Sequence, residues 1–335
     1  MAKYTSIGGQ ALIEGIMMKS PEKTALAVRM PDKSIDITYL NGKSIREKHK
    51  ILKLPILRGI AGFIESMIQG YKAMMLSADK SGFTDLDEDK EQEKTESDKK
   101  KESALMSVIM VIATVLGVAL AVVLFMLLPR LAVQGLRTLF KVEFSPVVRS
   151  SIEQLLKLTI FVIYVWAVSF MRDIKRVFMY HGAEHKTIFC YERGLPLTVE
   201  NVKTQRRFHP RCGTSFMILM ILVSIIFSTV VQIIFPGVYN IYWLWVAIKI
   251  LLIPLVCGAG FEVLKICGRY DNLFTKIISA PGLWLQRITT KEPEDDMIEI
   301  AIAALKACEP AVPDVDRSVD RIEEKQNTET DETEE

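Results

Sequence analysis

The sequence predicts a mainly α-helical, polytopic membrane protein with about four transmembrane helices, amphipathic interfacial helices and a small N-terminal β element. Three observations carry this. Neither Ser103 to Leu128 nor Gly213 to Phe235 contains a charged residue, and each run is long enough to cross about 30 Å of hydrocarbon as a helix. Half of the 335 residues are hydrophobic, yet they gather in such runs rather than spreading through the chain. Ahead of the runs, Thr24 to Met30 and Ile35 to Leu40 are short stretches, β-branched or alternating, around Pro31 to Ser34, the pattern of a hairpin.

The N-terminal region, residues 1–84, is expected to combine that β element with an amphipathic helix on the cytoplasmic side. In Ile7 to Met18, glycines surround an apolar stretch, which suggests a strand or buried loop whose backbone approaches something closely. A phosphate-binding glycine loop is disfavoured, because the Lys-Ser/Thr ending is missing. Ile51 to Leu76 repeats apolar residues at helical spacing, interrupted by Lys53, Arg58, Glu65 and Lys72, and reads as a helix lying on the membrane or against the spans. Residues 85–102 are dense in Asp, Glu, Lys, Ser and Gln and are expected to be a disordered charged linker.

Two spans are expected within 103–171, the second built on Leu158 to Met171 and extended backwards through Ile152 to Leu156. Two more are expected within 213–261, although Lys249 and Pro254 interrupt the last, as bundle-facing helices tolerate. Lys249 can pair with Glu153 or with a backbone carbonyl, which outweighs a transport reading built on Lys249 and Glu262. The connection from Arg172 to Arg211 carries nine Lys and Arg, that from Pro129 to Ser151 four, and Pro236 to Tyr239 none. The positive-inside rule then places both termini and the loop 172–212 in the cytoplasm. No cleavable signal is expected in the polar first forty residues. Residues 262–308 read as cytoplasmic or interfacial helices, with Trp284 and Arg287 suited to the headgroup zone and a helix opening at Pro293 to Asp296. Residues 309–335 read as a disordered acidic tail.

The loop 172–212 holds three of the four histidines. His181 and His185 stand one helical turn apart with Glu184 beside them, in the order H-x-x-E-H seen in inverzincin metalloproteases. His209 and Cys212 follow, and five cysteines in a mostly cytosolic chain argue for thiols or metal ligands rather than disulfides. The stretches Gly8 to Pro21, His181 to Lys186, Leu197 to Asn201, His209 to Phe216 and Pro281 to Thr290 together resemble the YqhQ-like bacterial membrane proteins, from the N-terminus to about Leu305. That resemblance implies a multi-pass inner-membrane protein. It supplies no reaction, because the family is one of unknown function.

His181, His185, His209 and Cys212 are of the type and number that close a tetrahedral zinc site, with Cys190 a fifth candidate. Against this stands the reading that the histidines cap helices or meet anionic headgroups with Arg206, Arg207 and Arg211. A closed four-ligand site is structural and suits a scaffold or accessory factor, the reading preferred from sequence. In the hydrolase alternative, His181 and His185 hold Zn2+ while Glu184 acts as general base. Glu262, 77 positions after His185, stands as that site's possible third ligand, but two intervening spans exclude the soluble inverzincin fold. The expected partners are the lipid bilayer and other membrane proteins, and no nucleic acid is predicted.

Overall fold

A computed structural model describes residues 7–40, 50–83, 96–210, 212–238, 241–270 and 272–309. Its N-terminal strands, β1 (Gly8–Leu12), β2 (Gly15–Lys19), β3 (Thr24–Arg29) and β4 (Ile35–Tyr39), form one antiparallel meander in chain order. The expected hairpin is the β3–β4 pair, with Arg29 opposite Ile35. A second hairpin precedes it. Its two-residue turn, Ile13 and Glu14, places Glu14 at a φ of 49° and turns its carboxylate outward to a partner described below.

After a 3-10 turn at Lys50–Lys53, ten helices follow among the described residues. The first, α1 (Leu57–Lys80), is the expected amphipathic helix. It crosses the last span where Gly59 faces Gly258 and Phe261, and there Arg58 pairs with Glu262. Further along, it reaches the sheet, where Ala73 joins Leu12, Met17, Leu26 and Val28 in a small core.

Among the described residues, four helical stretches are long and apolar enough to cross a membrane: Val111–Phe140, Pro146–Val168, Gly213–Ile234 and Trp243–Cys267. The first differs from expectation at both ends. Residues 96–102 of the anticipated linker form the opening turns of α2 (Glu96–Val122), while 85–95 lie outside the described residues. Instead of ending before Pro129, the helix passes through a π turn at Val123–Leu127 into α3 (Leu128–Phe140). The widened turn gives the proline ring and its missing N–H a place within a continuous helix. The second span, α4 (Pro146–Val168), starts earlier than the apolar run because Ser145 caps it and Pro146 fills its first turn.

Beyond α4, the helix α5 (Arg172–Glu192) carries the histidine motif and α6 (Val199–Lys203) is a single turn. The last two spans are α7 (Gly213–Ile234) and α8 (Tyr242–Arg269), which keeps Pro254 inside it. They are followed by α9 (Leu273–Thr289) and α10 (Asp295–Cys308). The anticipated acidic tail from 310 onward lies outside the described residues. The sheet, α5 and α10 enclose the largest core, with Ile16, Met18, Tyr180, Ala183, Ile298 and Leu305 fully buried. These elements form a cap. It sits at the end of the bundle where α4 stops, α7 starts and α8 gives way to α9.

Candidate metal centre

Helix α5 is polar at its start and becomes wholly enclosed from Tyr180 to Ile188, because the sheet covers one side and α6 and α10 the others. Two close approaches make this possible. Gly182 lies so near the Lys291 carbonyl that an added Cβ would stand 2.0 Å from its oxygen, and Lys291 N–H donates to the Phe178 carbonyl at 2.8 Å. Gly9 in β1 meets Glu184 in the same way, its Cβ position 2.9 Å from the carboxylate carbon, so the sheet edge rests on that side chain. The β1–β2 turn is fastened alongside, with Glu14 accepting from the Arg176 guanidinium at 2.7 Å and from the Tyr180 hydroxyl at 3.1 Å.

Within this enclosure the ligand atoms of His181, His185 and Cys212 all lie within 4.8 Å of one another. Each imidazole is held by its Nδ1. His181 Nδ1 lies 2.8 Å from the Thr289 carbonyl and His185 Nδ1 bonds the Arg207 carbonyl, so both rings carry a proton on Nδ1 and turn Nε2 toward the cluster. His181 Nε2 is 3.0 Å from Cys212 Sγ. That sulfur caps α7, accepting from Thr214 N–H at 3.4 Å. Burial opposes a charged thiolate there, but the two histidines outweigh it and hold the Cys212 thiol well below its usual range. His181 shows the other half of the coupling: burial pulls it down, and the sulfur facing it raises it to about 9.

Glu184 is buried and does not join the three ligand atoms, yet it lies in the field of both imidazoles. Burial raises its carboxyl, His185 and His181 oppose that, and the Gly9 N–H donates to it. A set of two imidazole nitrogens and one thiolate, each fixed by a second bond, fits a zinc-type ion and leaves one of four tetrahedral positions to another donor.

The remaining predicted ligands stand elsewhere. His209 is buried beside the cluster, its ring 5.6 Å from that of His185, but its Nε2 turns to Glu192 at 3.7 Å. Its spacing from Cys212 does not create a shared face, because Pro210 follows it and the segment is not helical. Cys190 points at the carbonyls of Leu195 and Pro196, 3.9 and 3.6 Å away, and burial raises its thiol. Glu262 is the partner of Arg58 on α1. Arg207, anticipated as a headgroup contact, pairs with Glu292 at 2.9 Å and supplies its carbonyl to the site.

Gln286 was not anticipated. It is fully buried, accepts from His209 N–H at 2.7 Å, and donates to the His209 carbonyl and Ser215 Oγ at 2.8 and 2.7 Å. It thereby fixes the backbone at His209, three residues ahead of Cys212. Its one sequence signal was membership of the specific stretch Pro281 to Thr290.

Comparison with known proteins places this architecture in a family. The family described as "Protein of unknown function (DUF1385)" matches residues 54–311. The chain is also similar to the "Uncharacterized protein YqhQ" of Bacillus subtilis (strain 168), 38% identical over 296 residues that cover 88% of this chain and 89% of that relative. No solved structure matches.

Proposed function

We propose a function for a chain that belongs to the DUF1385 family, whose description assigns none: it is an integral-membrane, metal-dependent hydrolase with its centre in the cap. The observation that carries this reading is the three-ligand arrangement of His181, His185 and Cys212, with Glu184 beside it and outside the ligand set. The bound ion would supply Lewis acidity at the open position. His181 and His185 would orient it through their carbonyl-anchored rings, and Cys212 would bring negative charge from the start of α7. Glu184, aimed by Gly9, would accept and return the proton of a hydrolytic step.

A structural ion is the second reading, and burial favours it, since His185 is only 1% exposed and Cys212 only 7%. Such an ion would lock α5 to α7 for a scaffold or accessory role. Metal stoichiometry and melting temperature, measured side by side for Glu184→Gln and Cys212→Ser, separate the two. The catalytic reading expects Glu184→Gln to retain metal and melting while abolishing turnover, and Cys212→Ser to lose metal. Loss of metal and of melting in Cys212→Ser, with Glu184→Gln silent and no turnover by the metal-loaded wild type on any ester or amide probe, supports the structural ion instead.

The charge bias of the loops supports an inner-membrane protein with the cap in the cytoplasm. A cysteine at position 240 should then label from outside in intact cells, and one at position 195 only after permeabilisation. External labelling at 195 would reverse the orientation.

A further inference from the structure

All four spans line a second feature, a half-open cavity of about 480 Å³ well removed from the cap centre. Its place can be read from the helices. Lys249 is in the third turn of α8, Glu153 and Lys157 lie in the first half of α4, and Ser224 is near the middle of α7. The cavity therefore lies between mid-membrane and the end of the bundle away from the cap. Its walls are mostly apolar, as Phe125, Phe161, Met220 and Ile253 illustrate, but four charged side chains open into it: Arg130, Glu153, Lys157 and Lys249.

Three cations against one carboxylate leave an excess of two positive charges among the described lining residues. Lys249 is bracketed by the others, since Lys157, Glu153 and Arg130 all act on it, and its ammonium stands 4.8 Å over the Trp245 ring. Cations gathered in a low-dielectric bundle repel one another and cost several kcal/mol unless an anion joins them. Polar groups continue away from the cavity on the same helix faces. Ser224 is followed at four-residue spacing by Ser228 and Gln232, and Glu153 and Gln154 are preceded by Ser150. Ser150, Ser228 and Gln232 are each at least 98% buried, and their side-chain polar atoms have no partner among the described residues.

We infer that this cavity is an intramembrane binding site for a phosphate-type anion, supplied as the headgroup of an acidic lipid or as the free ion. Arg130, Lys157 and Lys249 neutralise the anion, the aromatic and aliphatic walls accept an apolar body attached to it, and the buried hydroxyl and amide groups mark a polar lane towards the far surface. The volume is within the range of small-molecule sites, and clustered cations are the chemistry that recognises a phosphate. Glu153 tempers the positive field.

The test uses the full-length protein in nanodiscs of phosphatidylglycerol or phosphatidylcholine, with retained lipid counted by native mass spectrometry, and inorganic phosphate titrated into the phosphatidylcholine sample. Retention of phosphatidylglycerol over phosphatidylcholine identifies the lipid source, and saturable phosphate binding in phosphatidylcholine identifies the free ion. Either should weaken about tenfold or more in Lys249→Gln and in Lys157→Gln, the loss expected for a charge-assisted contact. Glu153→Gln should act in the opposite sense and tighten binding. Melting curves of the three variants establish that they fold, and the opposite sign for Glu153→Gln is a result that general destabilisation cannot produce. Equal retention of both lipids with no phosphate binding, or unchanged affinity in both lysine variants, would overturn the site.

Discussion

The cap and the bundle are built on opposite terms. In the cap, helix α5 is enclosed by a sheet and two helices, backbones touch at glycines, and His181, His185, Cys190, His209 and Cys212 are all buried. In the bundle, by contrast, the most apolar stretch of the first span buries nothing against protein, and those of the third and fourth spans bury only 28% of their residues. Apolar surface left open in this way is satisfied by lipid, which makes shape matching unnecessary over most of the spans. Close packing is confined to the cap and to a few crossings, so the cap is where small changes should matter.

Substituting one glycine in each region tests that contrast most severely. Gly182→Ala drives a methyl group into the Lys291 carbonyl, so α5 and the chain after α9 must separate; the expected loss is about 3 kcal/mol or more. Gly117→Ala in the first span meets nothing within 4 Å and should change stability by less than about 1 kcal/mol. Comparable melting of the two variants would erase the distinction. Next in size is Gln286→Leu, which keeps the volume but strands the buried N–H and carbonyl of His209 as well as Ser215 Oγ. Unmade buried hydrogen bonds of this kind cost about 1–3 kcal/mol each when unrelieved, so a clear fall in melting and weaker metal retention are expected. Wild-type metal retention in that variant would show that Gln286 does not position the Cys212 segment.

The two regions were also unequally legible in the sequence. The spans were readable because lipid selects on composition, and uninterrupted runs such as Gly213 to Phe235 need no tertiary information. The continuation of the first span through Pro129 was hidden, since a proline after an apolar run signals an ending unless a π turn absorbs it. In the cap, the i,i+4 spacing of His181 and His185 was decisive because a real helix carries it. His209 and Cys212 were named by residue type, which could not tell that Cys212 joins the pair while His209 turns to Glu192. Glu184 could be named from its motif, but its setting depends on Gly9 in a strand remote in sequence, and the loop near Gly9 signalled only that some backbone was closely approached. Gln286 acts through backbone groups, which leave no residue pattern to find.

The central claim is that the cap holds one ion on two imidazoles and one thiolate. X-ray absorption at the zinc edge of the purified, metal-loaded protein reads that ligand set directly. The account predicts one sulfur at about 2.3 Å and two imidazole nitrogens at about 2.0–2.1 Å, completed by one light-atom donor that is not histidine, with the sulfur shell lost in Cys212→Ser. A shell without sulfur, a third imidazole from His209, or a wild-type protein that takes up no stoichiometric metal would contradict it.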